Sequence, residues 1–157
     1  MINFGFTDLL LTLLAILLFA AAVIDVRTFT ISNRLNLAVA LLALVYWWAV
    51  QLPLWPDAAV QLAVAAGVFL LLALAFAAGM MGGGDVKLAA ALVLWFSPVN
   101  TVRFLVIMSI AGGLVTIVFL AIHGASRRPG RPNIPYGVAI AIGGLAILAQ
   151  RFLNQFA

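Results

Sequence analysis

The chain has 157 residues, of which 67% are hydrophobic and only 8% charged, with no cysteine and a formal net charge of +4. Soluble domains carry roughly 25% charged residues, so an ordinary soluble fold is excluded and the composition reads as an integral membrane protein. Zero cysteine excludes disulfides, a thiolate zinc site and a thiol nucleophile, and eight Lys/Arg with no run longer than Arg127-Arg128 offer no nucleic-acid patch, so no nucleic-acid partner is expected.

A membrane span needs about 20 mainly apolar residues rising about 1.5 Å each. Residues 1–8 contain no Lys or Arg, so the first apolar run lacks the basic head of a secretory signal. It reads as a retained membrane helix over about residues 6–24, stopping at Asp25-Val26-Arg27. A polar link with Thr28, Thr30, Ser32, Asn33 and Arg34 leads to a second span at about 35–52. Tyr46, Trp47, Trp48 and Trp55 are read as an interfacial aromatic belt. A tight turn at 53–57 precedes a third span at about 58–78.

The most unusual stretch follows: Gly79-Met80-Met81-Gly82-Gly83-Gly84-Asp85-Val86-Lys87. Each glycine gives up about 1 kcal/mol of helix propensity relative to alanine, and here four of them deliver a carboxylate into otherwise apolar sequence. An ionisable residue near membrane depth is a candidate functional group. The fourth apolar run, 86–96, would be roughly 16 Å long against a hydrocarbon core of about 30 Å. It is read as a helix that starts below the membrane surface, which recesses Asp85; the plainer alternative for this acid, compatible with a chemical role, is that of helix N-cap. A fifth span at about 102–122 contains Gly112-Gly113, suited to close helix approach. After His123 and the basic loop of Arg127, Arg128 and Arg131, a last span runs from Pro135-Tyr136-Gly137 to about 153, rich in small residues. The expectation is an all-α membrane protein, a single domain over 1–157 built as a bundle of six transmembrane helices.

Charge sets the topology. The links after spans one, three and five hold Arg27, Arg34, Lys87, Arg127, Arg128 and Arg131, against Arg103 and Arg151 on the other side. The positive-inside rule makes the first side cytoplasmic, with both termini outside the cytoplasm. Asp8 and Asp57 then fall on the outer side and Asp25 and Asp85 on the cytoplasmic side, and there is no Glu. A carboxylate pair at a buried cytoplasmic-side site must therefore be Asp25 and Asp85.

Two adjacent carboxylates share a proton and titrate as a pair. One can take a proton from the water that attacks an amide carbonyl while the other donates to the carbonyl oxygen, which is aspartic-protease chemistry. Which is base and which acid does not follow from the sequence. The scheme needs no metal and no cofactor, and neither is expected. Gly82, Gly83 and Gly84 are expected to shape a cleft, by taking φ > 0 and by letting an extended substrate strand come close. Lys87 and Arg27 are read as topology-setting cations that could lend the acids electrostatic support. The rival from another class is a small proton-coupled transporter or membrane subunit using the two Asp as a relay.

Gly82-Gly83-Gly84-Asp85 fits the Gly-x-Gly-Asp motif of intramembrane aspartic peptidases, and 82–88 resembles the type IV prepilin peptidase version. Ile24-Asp25-Val26-Arg27 followed by Ile31-Ser32-Asn33 is similar to that family's first aspartate and its Ile-Pro-Asn, with Ser32 in place of the proline, and Pro135-Tyr136-Gly137 is similar to its last span. Presenilin-like proteases share Gly-x-Gly-Asp but set their first aspartate in a Tyr-Asp context absent here. The resemblance implies a multi-pass protein of the bacterial cytoplasmic membrane with Asp25 and Asp85 catalytic. Its implied partners are prepilin or pseudopilin substrates, which lose a short basic leader at the cytoplasmic face, usually after glycine, together with membrane lipids and the pilus assembly machinery. The link of about ten residues between the first two spans and the absence of cysteine resemble the small, CpaA-like branch associated with tight-adherence (Flp) pili, for which N-methyl transfer is not expected.

Overall fold

The computed structural model describes residues 4–125 and 133–155; Arg127, Arg128 and Arg131 of the basic loop lie outside them. The described residues fold into six α-helices: α1 (Phe4–Thr28), α2 (Asn33–Ala49), α3 (Ala59–Ala77), α4 (Gly83–Val93), α5 (Pro98–Ala125) and α6 (Tyr136–Gln155). A short π-helical turn at Leu54–Ala58 leads into α3. In lipid, backbone polar groups must be satisfied within the segment, so uninterrupted apolar runs become helices. Among the described residues four segments are long and apolar enough to cross a membrane: Gly5–Thr28, Leu54–Ala77, Pro98–His123 and Tyr136–Leu153. Six helices stand where six spans were expected, but α2 with 17 residues and α4 with 11 are shorter than the about 20 that a span requires.

Local chemistry sets the helix ends. The Ser32 side chain caps α2 by accepting the Leu35 N–H at 3.3 Å, so the serine supplies an N-cap hydrogen bond that proline could not. Pro98 opens α5, where a missing N–H costs nothing, and Ser97 precedes it with its carbonyl accepting from Thr101 N–H at 2.8 Å. α1 runs on through Thr28, so Asp25 lies inside the helix rather than beyond its end. Asp85 is not the N-cap of α4: Gly82 holds that position, and Gly83 and Gly84 form the first turn ahead of Asp85.

α4 sits at the centre, packed on α2, α3 and α6, while α1 packs on α2 and α6, and α5 lies on α6. Asp85, Val86, Leu88, Ala89, Ala91, Leu92 and Val93 of α4 are all buried. The small residues of α6 let large neighbours approach. A Cβ on Gly144 would lie 2.7 Å from Leu92 and 2.8 Å from Leu18, and one on Gly143 would lie 3.0 Å from Phe104.

A helix this short must satisfy its last carbonyls within the protein. Trp47 Nε1 and Gln61 Nε2 both donate to the Leu94 carbonyl, at 2.7 and 2.9 Å, and Gln61 Nε2 also donates to Phe96 at 2.8 Å. The aromatic-belt expectation is corrected here. Trp48 and Trp55 are exposed, as a belt requires, but Tyr46 and Trp47 are buried. Trp47 is drawn inward by the α4 carbonyl, and Tyr46 stacks on Trp95 with centroids 5.1 Å apart.

Candidate active site

Asp25 and Asp85 reach one place from helices 60 residues apart in sequence, and both are buried, at 2% and 6% exposure. Asp25 stands in the last two turns of α1, facing the start of α6. Its Oδ2 accepts the Gly137 N–H at 2.7 Å, with the Val138 N–H directed at the same carboxylate. The Gly137 N–H has no partner within the helix, whereas the Val138 N–H also donates to the Pro135 carbonyl at 3.2 Å; both stand in the first turn of α6, at the end of the helix that favours negative charge. Asp85 stands in the first turn of α4, where its Oδ2 accepts the Gly82 N–H at 3.1 Å. Each carboxylate is thus pinned at a helix N-terminus.

Ile31, in the link between α1 and α2, joins the two sides. A Cβ on Gly84 would lie 2.7 Å from the Ile31 carbonyl oxygen, and a Cβ on Gly137 would lie 2.7 Å from Ile31 Cδ1 and 2.8 Å from Asp25 Oδ2. Ile31 can therefore wedge between the α4 and α6 starts because neither position has a side chain. α4 lies outside the four long apolar segments, and Asp85 there has its pKa pushed up to about 7, first by burial and next by the charge on Asp25, with the Gly82 hydrogen bond working the other way. A carboxyl group whose proton affinity is raised by the charge of a second carboxylate beside it is suited to hold one proton for the pair.

A cleft of about 260 Å³ opens on Asp85, walled by Phe29, Gly79, Met80, Met81, Gly82, Asn133, Ile134 and Tyr136. Asp85 lines this cleft, whereas the buried Asp25 does not. A larger apolar groove of about 690 Å³, lined in part by Phe6, Trp48 and Leu54, belongs to the opposite end of α2 and holds no titratable side chain. Two residues at the cleft have positive φ: Phe29 at 52° and Gly79 at 71°. The glycine expectation is adjusted accordingly. The left-handed conformation falls on Gly79, whereas Gly82 is extended (φ −77°, ψ 149°). Gly82 lines the cleft, Gly83 lies against the Phe76 ring, and Gly84 admits Ile31.

The two cations are not drawn to the acids. Lys87 is exposed and gives its Nζ to Asn33 Oδ1 at 2.9 Å, tying α4 to the start of α2. Arg27 is exposed in the last turn of α1. Sequence reasoning missed Asn36. It is 5% exposed and donates from Nδ2 to the Gly84 carbonyl at 3.0 Å, one residue before Asp85. The available signal was an amide on an otherwise apolar helix, where a polar side chain usually bonds across to a neighbour. Asn36→Leu is expected to remove the side-chain bond that ties α2 to the start of α4, a net loss of about 0.5–1.5 kcal/mol, and to lower the turnover of the site about tenfold by loosening the α4 start. A thermal unfolding scan alongside initial rates checks both, and unchanged values would remove Asn36 from the site.

The sequence model of the type IV leader peptidase family matches residues 12–117, more than half of the chain. The matched region contains Asp25, the Ile31-Ser32-Asn33 link and the whole Gly82–Lys87 stretch, and ends before Gly137. No curated protein and no solved structure matches the chain.

Proposed function

The chain belongs to the type IV leader peptidase family, and from that premise we propose that it is a membrane-embedded aspartic endopeptidase that removes the basic leader of prepilin-like proteins at the cytoplasmic face. The observation that carries this reading is the meeting of two buried carboxylates, each fixed by a backbone N–H at a helix start, with one of them opening on a cleft. The other acids lie elsewhere, Asp8 in the second turn of α1 and Asp57 in the π-helical turn before α3.

In this scheme Asp25 and Asp85 share one proton. The ionised member takes a proton from water as its oxygen attacks the scissile carbonyl, and the protonated member donates to the carbonyl oxygen. The tetrahedral intermediate then collapses: the amine leaves with a proton from the pair, and a hydroxyl of the intermediate returns its proton to the pair as the carbonyl re-forms. Burial keeps bulk water away and strengthens each electrostatic contact. Asn36 and Ile31 hold the α4 start that carries Asp85 and the α6 start that binds Asp25, and Lys87 fastens α4 to α2 from outside.

The proton inventory gives a pH dependence. Asp85 is held protonated up to about 7, so the pair loses its shared proton as the pH rises through that value, and cleavage should fall about tenfold per pH unit above it. The check is the initial rate of leader removal from a prepilin-type substrate co-reconstituted in liposomes, followed by mass spectrometry from pH 5 to 9. A rate that is flat from 6 to 9 would contradict a shared proton.

A further inference from the structure

A second groove, of about 440 Å³, runs along α5 and is lined by Met108, Gly112, Gly113 and Thr116, with Met81 and Tyr136 closing it on the other side. Met81 and Tyr136 also wall the cleft that opens on Asp85, so the groove and the cleft adjoin across these two side chains. From Met108 to Thr116 the groove follows about 12 Å of helix. Its hydroxyls are turned away: Ser109 Oγ donates to the Leu105 carbonyl and Thr116 Oγ1 to the Gly112 carbonyl, both at 2.7 Å. What remains facing outward is apolar. Gly112 packs on Tyr136 and Ala139, whereas a Cβ on Gly113 would meet nothing within 4 Å. α5 packs mainly on α6 and leaves Ile110, Leu114 and Ile117 exposed, so the groove opens sideways toward lipid.

We propose that this groove seats an apolar helical segment of the membrane-embedded substrate, the part of its chain that leaves the cleft on one side of the scissile bond. The inference rests on the peptidase reading above and adds where the substrate is held. A chain passing from the cleft along α5 enters surroundings without water, where its backbone must satisfy its own hydrogen bonds and hence be helical. The open position at Gly113 lets such a helix come close, and close packing is what joins helices in lipid. A lipid acyl chain could fill the groove but has no connection to the cleft. The shared wall of Met81 and Tyr136 beside the cleft is what favours the substrate.

The test compares two prepilin-type substrates in liposomes, one with an apolar helix of about 20 residues beyond the cut site and one truncated before it. For the unmodified protein the helix-bearing substrate should show a KM about tenfold lower, equivalent to about 1.4 kcal/mol. Gly113→Phe, which fills the groove where there is space for a side chain, should erase most of that difference. Leu114→Phe, on the exposed face beside it, should keep it. Because the chain has no cysteine, Gly113→Cys adds a unique thiol that should cross-link to a cysteine placed in the substrate helix, independently of any effect of a bulky residue on folding. A KM difference that survives Gly113→Phe, or a thiol that reacts with a lipid-dissolved maleimide but never with the substrate helix, would overturn the proposal. Failure of the unmodified protein to cut either substrate would instead overturn the peptidase reading, and this inference with it.

Discussion

Asp25→Asn and Asp85→Asn should each lower leader cleavage by roughly 10³-fold, the scale of a lost general acid or base, and leave the bundle folded. Asparagine has nearly the same shape as aspartate and keeps an oxygen acceptor. The Gly137 N–H at Asp25 and the Gly82 N–H at Asp85 therefore retain their hydrogen bonds. What disappears is the ability to carry or release a proton. Each substitution also removes a buried carboxylate from beside another, so stability should hold or rise. Cleavage of a co-expressed prepilin, read beside the level of the membrane-inserted protein, separates the two effects. Full cleavage by either variant would exclude the dyad.

The second large effect is expected from a single methyl group. Gly137→Ala would place a Cβ 2.8 Å from Asp25 Oδ2, 3.0 Å from Asp25 Cβ and 2.7 Å from Ile31 Cδ1, so the α6 start, the carboxylate or the α1–α2 link must move. A displacement of about 1 Å in a catalytic group can cost on the order of 10²-fold in rate, and a loss of that size is expected. Gly84→Ala should act in the same direction from the other side, because the atom it meets at 2.7 Å is the Ile31 backbone oxygen, which cannot turn aside. Gly67→Ala in α3 has nothing within 4 Å of the new Cβ and should leave the rate unchanged. Rates of the three variants side by side decide the matter. Equal activity of Gly137→Ala and Gly67→Ala would show that the tight contact does not position Asp25.

The two aspartates were legible in the sequence because an acid in an apolar chain stands out, and because a glycine run and an Ile-Ser-Asn segment mark their surroundings. The helix order was legible from apolar runs of sufficient length. The start of α4 was not, since glycine propensity argues for a break, whereas packing on Ile31 and the Asn36 hydrogen bond draw Gly83 and Gly84 into the helix. Propensity is weak against tertiary contacts of that kind. The same holds for Tyr46 and Trp47. Their composition and position suggest an interface, but an α4 carbonyl and the Trp95 ring, both more than 45 residues away in sequence, hold them inside. The Gly137 hydrogen bond to Asp25 spans 112 positions, and the residues alone could suggest only that the last helix packs closely.

Whether Asp25 and Asp85 work as one unit is tested most directly by measuring single-turnover leader release, by mass spectrometry of the freed peptide, for Asp25→Asn, Asp85→Asn and the double variant in liposomes. Residues that act together lose their effect together. The dyad predicts that each single variant falls to the same residual rate as the double variant. Rate losses that multiply in the double variant, or a single variant that still cleaves at the unmodified rate, would contradict it.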